Sequence, residues 1–129
     1  MKRTLLGVIA LFPCGGAALA DSWTPDAATI AKFEAAIHIP DWGRSDAYPN
    51  GHVPMVSEYA RYYAGDNSNG RRIVFAELVV LAPGAPSGTH LVATIADFPQ
   101  ISDGGCTVVN LIYDVDQDKV IGLRCNGRG

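Results

Sequence analysis

Two apolar runs, Cys106 to Val115 and Val120 to Cys125, flank the polar tetrapeptide Asp116-Gln117-Asp118-Lys119. That arrangement predicts a β-hairpin and constrains the fold more than any other stretch of the chain. Two registers are compatible with it. A four-residue turn at 116–119 sets Val115 opposite Val120 and Asn110 opposite Cys125, whereas a directly cross-strand disulfide sets Cys106 opposite Cys125. The two differ by about 13 Å of strand rise, too far for disulfide geometry unless Gly104-Gly105 folds the chain back. In both, Val108, Asn110, Ile112, Ile121, Leu123 and Cys125 share one face, and Val109, Leu111, Tyr113, Val115 and Val120 share the other. Both faces are largely apolar, so the hairpin is expected at the centre of the sheet with cover on each side. Asn110 is the odd polar member and, if buried, needs hydrogen-bond partners.

Upstream segments supply the rest of the sheet and its cover. Thr24-Pro25-Asp26 offers a hydroxyl N-cap, a proline at the first helical position and an acid near the positive helix end. Ile30, Phe33 and Ile37 follow at helical spacing, which predicts an amphipathic helix over 25–37 with Lys32 and Glu34 on its polar side. Ser57 to Ala64 alternates, with Tyr59, Arg61 and Tyr63 on one side and Glu58, Ala60 and Tyr62 on the other, as in a strand near a sheet edge. Gly65 to Gly70 is turn chemistry, and Arg71 to Leu81 is β-rich and almost wholly apolar from Leu78. A third strand is expected over about Thr89 to Ile95, then a helical turn around Pro99. The simplest assembly is α+β: an N-terminal helix packed on a curved antiparallel sheet of four or five strands, by analogy a cystatin-like arrangement.

The chain has 129 residues, 48% hydrophobic and 18% charged, which excludes disorder and leaves room for one globular domain. Lys2 and Arg3, the apolar run Leu5 to Phe12 and the small residues ending Ala18-Leu19-Ala20 have the layout of a secretory signal peptide over 1–20. Cleavage before Asp21 would leave a single domain over 21–129. A bilayer span needs about 20 uninterrupted apolar residues, and Pro13 and Gly15-Gly16 break this run, so no membrane span is expected. Cys14 raises a lipid anchor as a minor alternative, which Phe12 and Pro13 fit poorly.

The leader holds two of the ten basic residues and none of the thirteen acidic ones, so residues 21–129 carry eight against thirteen, formally −5. An acidic domain is a poor partner for nucleic acid. Loss of Cys14 leaves Cys106 and Cys125 as an even pair which, in a periplasmic or secreted chain, reads as one disulfide.

From His38 to Pro54 the breakers Pro40, Gly43, Pro49, Gly51 and Pro54 punctuate a long loop that holds Trp42, Arg44, Tyr48 and His52. Aromatic and arginine side chains dominate binding hot spots, so these four are the candidate binding residues. The competing account is a wrapping loop pinned to the core by Trp42 and Tyr48.

Tests for chemistry are otherwise negative. Asp114-Val115-Asp116-Gln117-Asp118 has the opening spacing of a calcium loop, but Lys119 replaces the required glycine and Cys125 the bidentate glutamate. His38, His52 and His90 sit at no metal-ligand spacing, so neither a metal nor another cofactor is expected. There is no Gly-x-Ser-x-Gly elbow, and Gly104-Gly105 leads into a strand rather than a phosphate-binding helix end. Arg61, Tyr62, Tyr63, Arg71 and Arg72 suit cross-strand aromatic and guanidinium packing better than base stacking.

Arg61-Tyr62-Tyr63, Gly70-Arg71-Arg72, Asp103-Gly104-Gly105-Cys106, Tyr113-Asp114 and Cys125-Asn126-Gly127 together resemble a group of small, exported, uncharacterised bacterial proteins with Gly-Gly-Cys and Cys-Asn-Gly motifs. The resemblance covers roughly residues 58–127 and implies no activity. Size, export and Ser87-Gly88 are also similar to the periplasmic lysozyme inhibitors, but the tyrosine of their motif is absent from the next positions. The expectation is a binding module that presents the 38–56 loop to a protein or small ligand, an enzyme inhibitor being one form of it. A small hydrolase using His52 or His90 with a nearby carboxylate is the alternative, and a structural envelope component a third. No catalytic residue is assigned.

Overall fold

Asp26, not Thr24, caps the N-terminal helix: its carboxylate accepts the Thr29 N–H at 2.7 Å, and α1 runs Ala27–Ala36. Carboxylate and hydroxyl caps serve the same orphan amides, and the helix begins two residues later than the Thr24 cap predicts. The computed structural model describes residues 23–41, 52–80 and 87–127. The strands are β1 (Ala60–Ser68), β2 (Arg71–Val79), β3 (Gly88–Leu91), β4 (Val108–Asp114) and β5 (Lys119–Cys125). Short 3-10 turns lie at Val56–Glu58, Ile95–Asp97 and Gly105–Thr107. Among the described residues no helix is long and apolar enough to cross a membrane.

The five strands form one open mixed sheet in the order β3-β1-β2-β4-β5, with β3 parallel to β1 and every other pair antiparallel. The fold is therefore α+β, one helix on a five-stranded sheet. The sheet centre is β2, and β5 is an edge strand, which corrects the expectation of a central hairpin. β2 is buried along both faces from Ile73 to Val79 except at half-exposed Phe75, the pattern of an interior strand. β5 alternates between exposed and half-buried positions, as an edge strand does.

Helix α1 covers one sheet face. Ile30 and Phe33 meet Tyr63, Val74, Ala76, Leu78, Val109, Leu111 and Tyr113 in a single core. Glu34 was expected on the solvated side of the helix; instead its Oε1 accepts the Tyr63 hydroxyl at 2.6 Å and lies 2.9 Å from Arg61 Nε. Arg61 also donates to the Val56 carbonyl and to Thr89 Oγ1. That one side chain ties β1 to the helix, the 3-10 turn and β3. The Tyr63 phenol is pushed well up, by burial first and by its bond to Glu34 second.

The β1–β2 turn needs only Asn69 and Gly70, both at positive φ (54° and 75°), as a tight hairpin requires. Residues 65–68, read as turn from their composition, are paired strand. Gly65 is there for another reason. A Cβ at that position would overlap the Trp23 carbonyl, so the glycine lets the N-terminal segment lie against β1, where Trp23 Nε1 donates to the Asp66 carbonyl at 3.0 Å.

Neither expected register of the last hairpin is adopted. Asp114 pairs with Lys119 and Tyr113 with Val120, then a bulge at Ile121 shifts the ladder so that Ile112 faces Gly122 and Val109 faces Cys125. The bulge changes the parity of the far half of β5. Leu123 and Cys125 join Val109 and Leu111 on the helix side, while Asn110 and Ile112 share the opposite face with Gly122 and Arg124. Cys106 still comes within disulfide-bonding distance of Cys125, with Cα atoms 4.6 Å apart. Gly104 and Gly105, at φ 98° and 55°, fold the Gly105–Thr107 turn back over the strand end.

Candidate functional site

The face turned away from α1 carries one polar row across all five strands. His90 on β3 pairs with Tyr62 on β1, Tyr62 with Glu77 on β2, Glu77 with Asn110 on β4, and Asn110 with Arg124 on β5. Cross-strand partners share a face, so the five side chains stand side by side. The rows on either side are apolar or small: Ala60, Val79 and Val108 on one, Ala64, Phe75, Ile112 and Gly122 on the other.

A cleft of about 620 Å³ opens over the β2–β4–β5 part of this row. Phe75, Glu77, Asn110, Ile112, Gly122 and Arg124 form its floor, and Ile95, Phe98, Pro99, Gln100 and Ile101 form a wall. Its volume falls in the range of small-molecule sites, which combine apolar walls with a few polar groups. Asn126 attaches the wall to the floor. Its Nδ2 donates to the carbonyls of Ile101 (2.7 Å) and Asp103 (3.1 Å), and its Oδ1 accepts from Asn110 Nδ2 at 2.8 Å. Asn110, half-buried, thus has a partner for its side chain. Gln100 Nε2, bonded to the carbonyls of Ala96 and Phe98, braces the wall itself.

Glu77 is the chemical anomaly of this floor. Its residue is 7% exposed, and Oε1 has no hydrogen-bond partner among the described residues. Burial pushes the carboxyl up from its ordinary value of 4.5. The folded chain therefore retains this proton at pH values where the unfolded chain has released it, and stability falls as pH rises from about 4.5 through the raised folded value. Glu77→Gln is expected to raise stability at pH 7 by about 1 kcal/mol and to leave it nearly unchanged at pH 4. Thermal denaturation of both proteins across that range checks it; a pH-independent difference would contradict the buried carboxyl.

On the other flank of Glu77, the Tyr62 and His90 rings stack at 4.7 Å and 17°. His90 Nε2 is buried without a hydrogen-bond partner among the described residues. Two strand spacings, about 10 Å, separate His90 from Glu77, and the two side chains are not hydrogen-bonded to each other.

Of the residues singled out from the sequence, Trp42, Arg44 and Tyr48 lie outside the described residues. His52 is exposed and forms no part of the cleft. Among the described residues no group of three His, Cys, Asp or Glu side chains could hold a metal ion. The carboxylates of the last hairpin turn are engaged separately. Asp114 takes Arg71 and the Gln117 N–H, Asp116 takes Arg72, and Asp118 takes the Tyr113 hydroxyl. Burial pushes Asp114 up, but the Gln117 N–H and the Arg71 guanidinium outweigh it and hold the carboxyl below its usual value.

Glu77 and Arg124 were missed. The usable signal was a lone charge inside the apolar run from Ile73 to Val80, since a strand that buries both faces has no solvated position for it. Fold and site together define an α+β domain that buries one sheet face under its helix and leaves the other as the floor of a walled cleft. Compared with known protein families, curated proteins and solved structures, the chain has no match.

Proposed function

We propose that the chain is a small exported binding module, periplasmic or secreted, that seats a small organic ligand in the cleft between the β2–β4–β5 floor and the 95–101 wall. The observation that carries this reading is Glu77, a buried carboxylate whose Oε1 has no hydrogen-bond partner among the described residues, at the floor of a cleft with a largely apolar wall. Buried polar groups in folded proteins are almost always hydrogen-bonded, and an unsatisfied one costs stability. A ligand that supplies the missing partner accounts for its retention. Export is supported by the leader-like residues 1–20 and by the cysteine pair at disulfide distance.

The cleft, not the 38–56 loop, carries the reading because its polar and apolar groups converge on one volume. A fragment screen followed by two-dimensional NMR tests it. Binding fragments are expected to shift the amides of Phe75, Glu77, Asn110, Ile112 and 95–101. Shifts confined to 38–56, at Trp42, Arg44, Tyr48 and His52, would overturn the cleft in favour of the loop.

A further inference from the structure

Building on the cleft as a ligand site, we infer that its ligand is an organic primary amine, bound as the ammonium ion with its charged head on Glu77 and its apolar body against Phe75, Phe98 and Ile112. Glu77 Oε1 is buried with no hydrogen-bond partner among the described residues. It needs a donor, and the neighbouring cross-strand residues do not bring a cation to it. Asn110, beside Glu77 on β4, spends an Nδ2 proton on Asn126. Tyr62, beside it on β1, is stacked on His90. Arg124, exposed on β5, is the cation in the floor and lies two strand spacings away, about 10 Å.

A primary ammonium ion supplies three donors and a compensating charge. Hydrogen bonds to an ionised group are stronger than neutral ones, and the low local dielectric raises the value of the pairing. A neutral head group supplies a donor without the charge. An anionic head group would be repelled at Glu77 and attracted instead to Arg124. The rest of the cleft asks for an apolar body, and its volume accommodates a phenylalkyl or short alkyl chain. A quaternary ammonium ion, with no N–H, leaves Oε1 unpartnered.

Three probes with closely similar bodies test the inference on the full exported chain: 2-phenylethylamine, 2-phenylethanol and 3-phenylpropionate, each titrated at pH 7 by two-dimensional NMR. The amine is expected to bind at least about tenfold more tightly than the alcohol, the range for a hydrogen bond to a charged group. Glu77→Gln is expected to abolish that preference, because the glutamine carbonyl still accepts from either head group but no longer supplies the compensating charge. Because the same substitution is expected to stabilise the fold, a selective loss of amine binding cannot come from unfolding. Equal binding of all three at the cleft, or a preference for 3-phenylpropionate, overturns the amine and leaves the cleft reading standing. If none of the three shifts the cleft amides, the amine inference and the cleft reading fail together.

Discussion

Phe33→Ala is expected to cost about 3–5 kcal/mol, the range for truncating a large buried aromatic, and so a large part of the stability of a domain this size. Phe33 is fully buried and stacks on Tyr113 with ring centroids 4.6 Å apart and planes within 7°. It also meets Tyr63 edge-on at 5.7 Å. Those two tyrosines stand on β4 and β1, on opposite sides of central β2, so one side chain joins the helix to both halves of the sheet. A benzyl-sized void beneath two tyrosines whose hydroxyls are already committed to Glu34 and Asp118 has little room to collapse. Lys32→Ala, one residue away on the exposed side of the helix, is expected to change stability by no more than about 0.5 kcal/mol. Urea denaturation of the three proteins measures the contrast, and a cost below about 1 kcal/mol for Phe33→Ala would mean that the helix does not pack as described.

The second large effect is expected at the cysteine pair. Intact mass of the native protein should rise by two hydrogens on reduction, and Cys106→Ala/Cys125→Ala should cost roughly 3 kcal/mol, the value for a loop of about 20 residues in the chain-entropy treatment. The structural reason for a full effect is that the constraint acts at an edge. Among the described residues β5 has a strand neighbour on one side only, and the pair ties its last residue to the Gly105–Thr107 turn. Asn126, the next residue, holds the 101–103 segment that ends the cleft wall. The double variant should therefore also bind cleft ligands more weakly at temperatures where it is still folded. Two free thiols in the native protein would refute the pairing, and unchanged ligand affinity in the variant would separate the pair from the cleft.

How much of this was legible in advance divides along a physical line. The helix was, because capping chemistry and the spacing of Ile30 and Phe33 are local, and a helix satisfies its backbone within itself. The two hairpins were legible as units for the same reason, since a turn and its flanking apolar runs are adjacent in the chain. The face assignment of Tyr59, Arg61 and Tyr63 against Ala60 and Tyr62 also stood, because alternation along a strand needs no knowledge of its neighbours. Glu34 could not be placed, because its partner Tyr63 lies 29 residues further along the chain, with Arg61 beside it, and only docking brings them under the helix.

Residue order alone determined the α+β class, the helix and its apolar stripe, the strand alternation, a turn within 65–70 and the pairing of Cys106 with Cys125. Tertiary structure decided what depends on pairing between distant segments: the strand order, the parallel return of β3, the bulge at Ile121 that reversed the parity of Leu123 and Cys125, and hence which residues meet on the open face. The row from His90 through Glu77 to Arg124 draws one residue from each of five strands. A slip of one residue in any of the four ladders would send part of it to the other face. Register is set by the burial of the whole sheet rather than by any one strand, so a site assembled from it exists only once the sheet has formed.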